Sequence, residues 1–179
     1  MDKAIKSVLI SKEQIDTRVK EIAEQINKDF AGEEIMLVCI LRGASVFASD
    51  LLRQLKGDVT IDFISVSSYG AGTASTGEVK LSKDLTTPIA GKNVIIVEDI
   101  IDTGLTLKYL KKLLESRSPK ALKICAFLDK PSRRTVDMGC DYTGFSIPNE
   151  FVIGYGLDYD EKFRNLPEVC ILDPQVYNG

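Results

Sequence analysis

Three segments of this chain are apolar almost without a break: Ile35–Leu41, Val94–Val97 and Lys123–Leu128. A strand with one face in water alternates polar and apolar residues. An unbroken run therefore predicts a strand covered on both faces. The segments between these runs carry a different period. After Ser11, residues Ile15, Val19, Ile22, Ala23, Ile26 and Phe30 recur at helical spacing. Ser11 and Gln14 resemble a capping box, and Gly32 is a natural stop. A second helix turns Phe47, Leu51, Leu52 and Leu55 inward and ends at Gly57, and a third carries Leu107, Leu110, Leu113 and Leu114. Val59, Ile61 and Phe63 alternate as a strand, residues 78–81 can pair back as a hairpin, and short strands are expected around Phe151–Gly154 and Val169–Leu172. Helices alternating with buried strands predict an α/β fold: a central, mostly parallel sheet flanked by helices. Ligands in such sheets sit at the carboxyl ends of the strands, near the point where strand order reverses. The loops after Leu41, Val66, Val97 and Leu128 are thus where function is to be sought.

Composition narrows the chemistry. A chain of 179 residues is one domain's length, and 44% hydrophobic with 27% charged residues excludes wholesale disorder. There is no histidine. That removes Ser-His-Asp triads, Cys-His dyads and His-ligated metals, and leaves acid–base work to Asp, Glu, Lys, Tyr or Cys. With 23 basic and 26 acidic side chains the net charge is −3, which argues against sequence-blind nucleic-acid binding. The four cysteines form no C-x-x-C pair, and Cys39, Cys125 and Cys170 lie in apolar runs as small hydrophobes. No stretch near Met1 is apolar enough for a signal peptide and no run is long enough to span a bilayer, so a reduced, cytoplasmic protein is expected.

Neither common nucleotide fingerprint is present. G-x-x-x-x-G-K-[ST] is absent, and the glycine clusters at Gly70 and Gly154 lack the full dinucleotide pattern. The strongest signal is VIIVEDIIDTGLT, Val94–Thr106. A buried strand delivers Glu98 and Asp99 to its carboxyl end, a short turn carries Asp102, and Thr103, Gly104, Leu105 and Thr106 open a helix. Free N–H groups and the positive dipole end of a helix suit a phosphate. An anion cradle beside three carboxylates suits a phosphorylated sugar. A plain alternative is that Asp102 and Thr103 cap the helix and the acidic pair is a solvated turn.

VIIVEDIIDTGLT resembles the phosphoribosyl-pyrophosphate motif of type I phosphoribosyltransferases, in the version carried by their hypoxanthine-guanine branch. LRG (Leu41–Gly43), SSYG (Ser67–Gly70), Lys130 and FVIGYGLDYDEKFRNLP (Phe151–Pro167) follow in that family's order. The resemblance implies the type I fold, with one domain over residues 1–179. A small hood would come from the N-terminal strand and residues 131–179, and a mobile lid from residues 67–77. It implies that Asp102, Thr103, Gly104, Leu105 and Thr106 bind the 5′-phosphate, and that Glu98 and Asp99 contact the ribose hydroxyls close to magnesium. Asp102 would be the acid/base for the purine N7 proton. Leu41, Arg42 and Gly43 would form the pyrophosphate loop, often with a cis peptide at the Leu41–Arg42 step. Ser68 and Tyr69 would close over the pyrophosphate, which Arg164 also contacts.

Lys130 would meet the purine 6-oxo group, Phe151 would stack on the base, and Val152 would offer backbone groups to its edge. Asp158, beside the purine, would be a further magnesium ligand with Glu98 and Asp99. A polyanionic substrate at a carboxylate-rich site calls for Mg²⁺, with Mn²⁺ as a substitute. The implied partners are phosphoribosyl pyrophosphate, a 6-oxopurine and further copies of the chain in a homodimer or homotetramer, with no nucleic acid and no membrane. Arg42 and Leu105 depart from lysines found in some relatives. Rival readings are an RNA-binding attenuation regulator on the same fold and a receiver-like α/β domain with an acidic metal pocket. Neither accounts for the whole motif set.

Overall fold

The apolar runs are strands, and both their faces are covered. A computed structural model describes residues 4–68 and 79–177. In chain order it contains β1 (Ile5–Ile10), α1 (Lys12–Asp29), β2 (Ile35–Ile40), α2 (Ser45–Gln54), β3 (Val59–Ser68), β4 (Val79–Lys83) and β5 (Asn93–Ile101). There follow α3 (Leu105–Glu115), β6 (Ala121–Asp129), β7 (Tyr142–Ser146), β8 (Val152–Ile153), β9 (Val169–Leu172) and α4 (Pro174–Tyr177).

Six strands form one sheet in the order β4-β3-β2-β5-β6-β7. Only the β3–β4 pair is antiparallel. All six residues of β2 are buried, and they divide by period two between two cores. Ile35, Leu37 and Cys39 face α1 and α2, together with Ile95, Val97, Cys125 and Phe127. Met36, Val38 and Ile40 face the α3 side, with Val94, Ile96, Leu107, Leu110 and Leu114. Each fully buried aliphatic side chain contributes about 1.5–3 kcal/mol of transfer free energy.

The ends of α1 follow its sequence signals. Ser11 is the N-cap, and the reciprocal Gln14 contact completes the capping box. The helix stops at Asp29, ahead of Gly32, whose φ is +78°. Arg18 on α1 donates to the carbonyls of Thr143 and Gly144, covering part of the otherwise open edge strand β7.

β3 differs from its simple alternation. Val59, Ile61 and Phe63 pack against the α1–α2 core but stay only partly buried, whereas Asp62 and Ile64 on the other face are buried. The Asp62 carboxylate is satisfied there by the backbone N–H groups of Phe63, Thr86 and Thr87 and the Thr86 hydroxyl. The expected hairpin forms between β3 and β4.

β1, β9 and β8 make a separate three-stranded antiparallel sheet with its own small core of Ile153, Cys170 and Leu172. β7 lies within 131–179, the range expected for the hood, yet it pairs in parallel with β6 and belongs to the main sheet. Hydrophobic periodicity is weak in TGF, so the segment reads as loop although its neighbour β6 recruits it.

Candidate active site

Strand order reverses between β2 and β5: the chain moves outward from β2 to β3 on one side and from β5 through β6 to β7 on the other. The carboxyl ends of β2 and β5 therefore diverge into loops at the centre of the sheet, which is where such folds bind ligands. Leu41, Arg42 and Gly43 follow β2, with a cis peptide between Leu41 and Arg42. Glu98 and Asp99 lie within β5, near its carboxyl end, because β5 continues pairing with β6 as far as Ile101 and Asp129.

The two sides meet in van der Waals contact. A Cβ on Gly43 would fall 1.6 Å from Asp99 Oδ2. A third segment closes over them: a Cβ on Gly156, at φ +99°, would lie 2.1 Å from the Gly43 carbonyl oxygen. Tyr155 anchors that segment. Its ring lies 4.7 Å from Phe127 on β6, and its hydroxyl donates to Asp50 at 2.8 Å.

Burial drives both acids toward protonation, and the Asp99 charge raises Glu98 further. Backbone N–H groups temper this: Glu98 accepts from Asp99 at 3.1 Å and Asp99 from Ile100 at 2.7 Å. The positive charge of Arg164 also opposes the rise at Asp99. Neither acid has an ion-pair partner among the described residues. Cys39 on β2 is no rival nucleophile, since burial pushes its thiol up to about 12.

Beyond β5, Asp102, Thr103, Gly104 and Thr106 line a cavity of about 270 Å³ together with Glu98 and Asp99. Gly104 is the N-cap of α3, in left-handed backbone at φ +87°, and caps with no side chain. Among the described residues, a 3.4 Å contact from the Leu105 N–H to Thr103 Oγ1 is the one side-chain contact to the first turn's N–H groups. A helix start of this kind suits an anion. Asp102 is not a cap either. Its carboxylate accepts from Arg133, with Nε 3.0 Å from Oδ1. The capping alternative thus fails at Asp102. Leu105, expected beside the phosphate, is 45% exposed.

Lys130 follows β6, and its N–H donates to the Ile101 carbonyl at 3.0 Å, which sets it beside the Asp102 turn. Burial lowers the proton affinity of its half-buried ammonium, while the Asp102 charge supports it. Phe151 is 39% exposed, with Tyr177 stacked at 5.2 Å and Tyr159 edge-on at 5.7 Å. Val152 is buried in β8.

Asp158 is committed elsewhere than to the acidic pair. Its Oδ1 lies 2.9 Å from Arg164 Nη2, and its Oδ2 accepts the Glu161 N–H at 3.0 Å. Among the described residues no three Asp, Glu, Cys or His side chains gather into one metal-binding cluster, so Asp158 does not join Glu98 and Asp99 there. Arg42 pairs with Glu161. Tyr69, the Ser68 side chain and the rest of the expected lid lie outside the described residues. Sequence reasoning missed Arg133, Glu161 and Tyr177. The cluster of charges at Asp129–Arg134 was a faint signal for Arg133, and Glu161 lay unremarked within the Phe151–Pro167 motif, while Tyr177 had no signal.

Comparison with known proteins agrees with this geometry. The family model described as a phosphoribosyl transferase domain matches residues 11–160. A hypoxanthine-guanine phosphoribosyltransferase of Streptococcus thermophilus is 48% identical over 178 residues, covering 99% of each chain. The crystal structure of one from Bacillus anthracis, with a HEPES molecule in its active site, is 57% identical with a TM-score of 0.91, over 94% of this chain and 99% of that one. A hypoxanthine phosphoribosyltransferase structure from Staphylococcus aureus is 47% identical with a TM-score of 0.94, over 98% and 96%. Family match, full-length identity and shared architecture coincide: the chain belongs to the phosphoribosyltransferase family, on its hypoxanthine-guanine branch.

Proposed function

We propose that the chain serves purine salvage: it transfers the 5-phosphoribosyl group of phosphoribosyl pyrophosphate to hypoxanthine or guanine and releases pyrophosphate. The observation that carries this is the start of α3, which has no side-chain cap and shares a cavity with Glu98 and Asp99, next to the Ile101–Asp102 turn that the Lys130 N–H meets. The N–H groups from Gly104 to Thr106 take the 5′-phosphate, with the long Leu105–Thr103 contact giving way. Glu98 and Asp99 accept from the ribose hydroxyls. Arg42 and Arg164 receive the pyrophosphate, with Leu41 and Gly43 shaping the turn. Phe151 stacks on the base, the Val152 backbone meets its edge, and the Lys130 ammonium donates to its 6-oxo group. A donor-only ammonium suits a carbonyl and not the amino group of adenine.

A purine nitrogen then bonds to ribose C1 as the C1–O bond to pyrophosphate breaks. Asp102 accepts the N7 proton, a contribution worth about 10²–10⁴ in rate. The lid, Ser68 and Tyr69 included, shields the ribosyl cation from water.

Glu98 and Asp99 fit a divalent cation. They are adjacent hard oxygen donors, Glu98 buried and Asp99 partly so, without an ion-pair partner among the described residues, and driven toward protonation when no cation is near. Glu98 and Asp99 would hold Mg²⁺, or Mn²⁺ in its place, which would supply the positive charge that a polyanionic substrate needs beside two carboxylates. Asp158 would meet it only after releasing Arg164. A cytoplasmic location and a homodimeric or homotetrameric state accompany this function; among the described residues no helix is long and apolar enough to cross a membrane.

The deciding experiment incubates the protein with Mg²⁺, phosphoribosyl pyrophosphate and each purine separately, and measures nucleotide by chromatography. IMP or GMP is expected. No product from any 6-oxopurine would sink the proposal.

A further inference from the structure

Two arginines share one carboxylate. Arg42, in the turn after β2, places Nη2 2.9 Å from Glu161 Oε1. Arg164, after the Gly156 turn, places Nη2 3.4 Å from Glu161 Oε2. Arg164 is also held by the Gly156 carbonyl at 2.8 Å and by Asp158 at 2.9 Å. The Arg42 guanidinium has no second partner among the described residues. One anionic group therefore joins the cation of the main sheet to the cation of the segment folded over it. A phosphate would do the same, since guanidinium groups recognise carboxylate and phosphate oxygens alike.

Glu161 reaches this position from unusual backbone. Asp160, Glu161 and Phe163 have φ of +50°, +62° and +74°, a region that non-glycine residues rarely adopt. Three such residues in four positions mark a segment whose path is set by something other than local preference. Meanwhile Arg42 and Glu161 are well exposed, at 69% and 58% of their side-chain areas. Exposed pairs are individually weak, and a weak partner is one that a polyphosphate can displace.

We propose that Glu161 is a resident anion of the pyrophosphate subsite, holding Arg42 and Arg164 in the empty enzyme and yielding them to pyrophosphate. It thereby sets the affinity of the subsite. This rests on the roles given to the two arginines above. Removing its charge frees the Arg42 guanidinium, leaves Arg164 held by Asp158 and the Gly156 carbonyl, and takes away a competing negative charge.

The test measures pyrophosphate binding by calorimetry, in Mg²⁺, for the full chain and for Glu161→Gln, Glu161→Ala, Arg42→Ala, Arg164→Ala and Glu161→Gln/Arg42→Ala. Both Glu161 variants should bind about two- to fivefold more tightly. They should lower KM for phosphoribosyl pyrophosphate and leave KM for the purine in place. The gain should shrink in the double variant. Unchanged or weaker binding in both Glu161 variants, alongside weakened Arg42→Ala and Arg164→Ala, would overturn the role of Glu161 alone. Wild-type binding in both arginine variants would instead remove the subsite assignment and the resident anion with it.

Discussion

Gly43 and Asp99 touch through the space a side chain would fill: a Cβ on Gly43 would lie 1.6 Å from Asp99 Oδ2 and 2.7 Å from its Cγ. Gly43 is not a positive-φ glycine. Its value is the absence of a side chain where the β2 turn meets the acid on β5. The opposite side of the same turn is closed by Gly156 against the Gly43 carbonyl. Neither turn nor acid has room to yield without disturbing the other.

Gly43→Ala should therefore act on the site before it acts on the fold. The methyl group must push the Asp99 carboxylate off the position fixed by the Ile100 N–H. A displacement near 1 Å at a reacting site costs about 10² in rate. We expect kcat/KM for phosphoribosyl pyrophosphate to fall by at least about tenfold, with a much smaller change in Tm. Wild-type kinetics in this variant would mean that Asp99 can relocate freely, and would weaken its assignment.

Asp102→Asn isolates the proton transfer. The amide is isosteric but cannot take the N7 proton, and it replaces the charged partner of Arg133. We expect kcat to fall by at least about tenfold while the KM values move little. The Asp102–Arg133 pair is exposed and contributes little to stability, so the fold should survive. An unchanged kcat would take Asp102 out of the mechanism.

Most of the framework was legible because unbroken apolar runs and helical periods are local signals. β2, β5 and β6 are buried on both faces, and such strands read directly. The helix cap at Ser11 is likewise short-range, whereas at α3 the sequence offered Asp102 and Thr103 as caps and Gly104 takes the position. β7 was illegible because its five residues owe their strand to pairing with β6 rather than to their own pattern. The buried face of Asp62 was hidden for the same reason: its partners, Thr86 and Thr87, come from beyond the next strand. In the site, motif residues were found by their order along the chain. The contacts Arg133–Asp102 and Arg42–Glu161 span 31 and 119 residues, and no local pattern announces them.

Lys130 should carry selectivity among purines. Its ammonium is half buried, which weakens its hold on its proton, yet the Asp102 charge keeps it supported. A hydrogen bond from a charged donor is worth about 1.5–3 kcal/mol. Lys130→Met should raise KM for hypoxanthine by about tenfold or more and leave KM for phosphoribosyl pyrophosphate nearly unchanged. The wild-type chain should use adenine far less well than hypoxanthine. Comparable turnover of the two would contradict the donor role.

Asp62 gives a pH dependence that has nothing to do with catalysis. Burial alone would raise its proton affinity, but the N–H groups of Phe63, Thr87 and Thr86 and the Thr86 hydroxyl outweigh it, and the carboxyl ends below its ordinary value. A carboxylate depressed in the folded state stabilises it fully above the unfolded pKa, about 3.9. That stability is lost as pH falls through the lower, folded value, because protonation then costs the native state more than the unfolded one. Asp62→Asn keeps the shape but swaps a charged acceptor for an amide whose NH₂ can face only donors. At pH 7 we expect it to be less stable by about 2–3 kcal/mol. Its stability should also vary less than wild type between about pH 5 and pH 3. Urea unfolding across that range measures both effects. Parallel pH profiles for the two chains would show that Asp62 is not among the groups whose protonation destabilises the native fold.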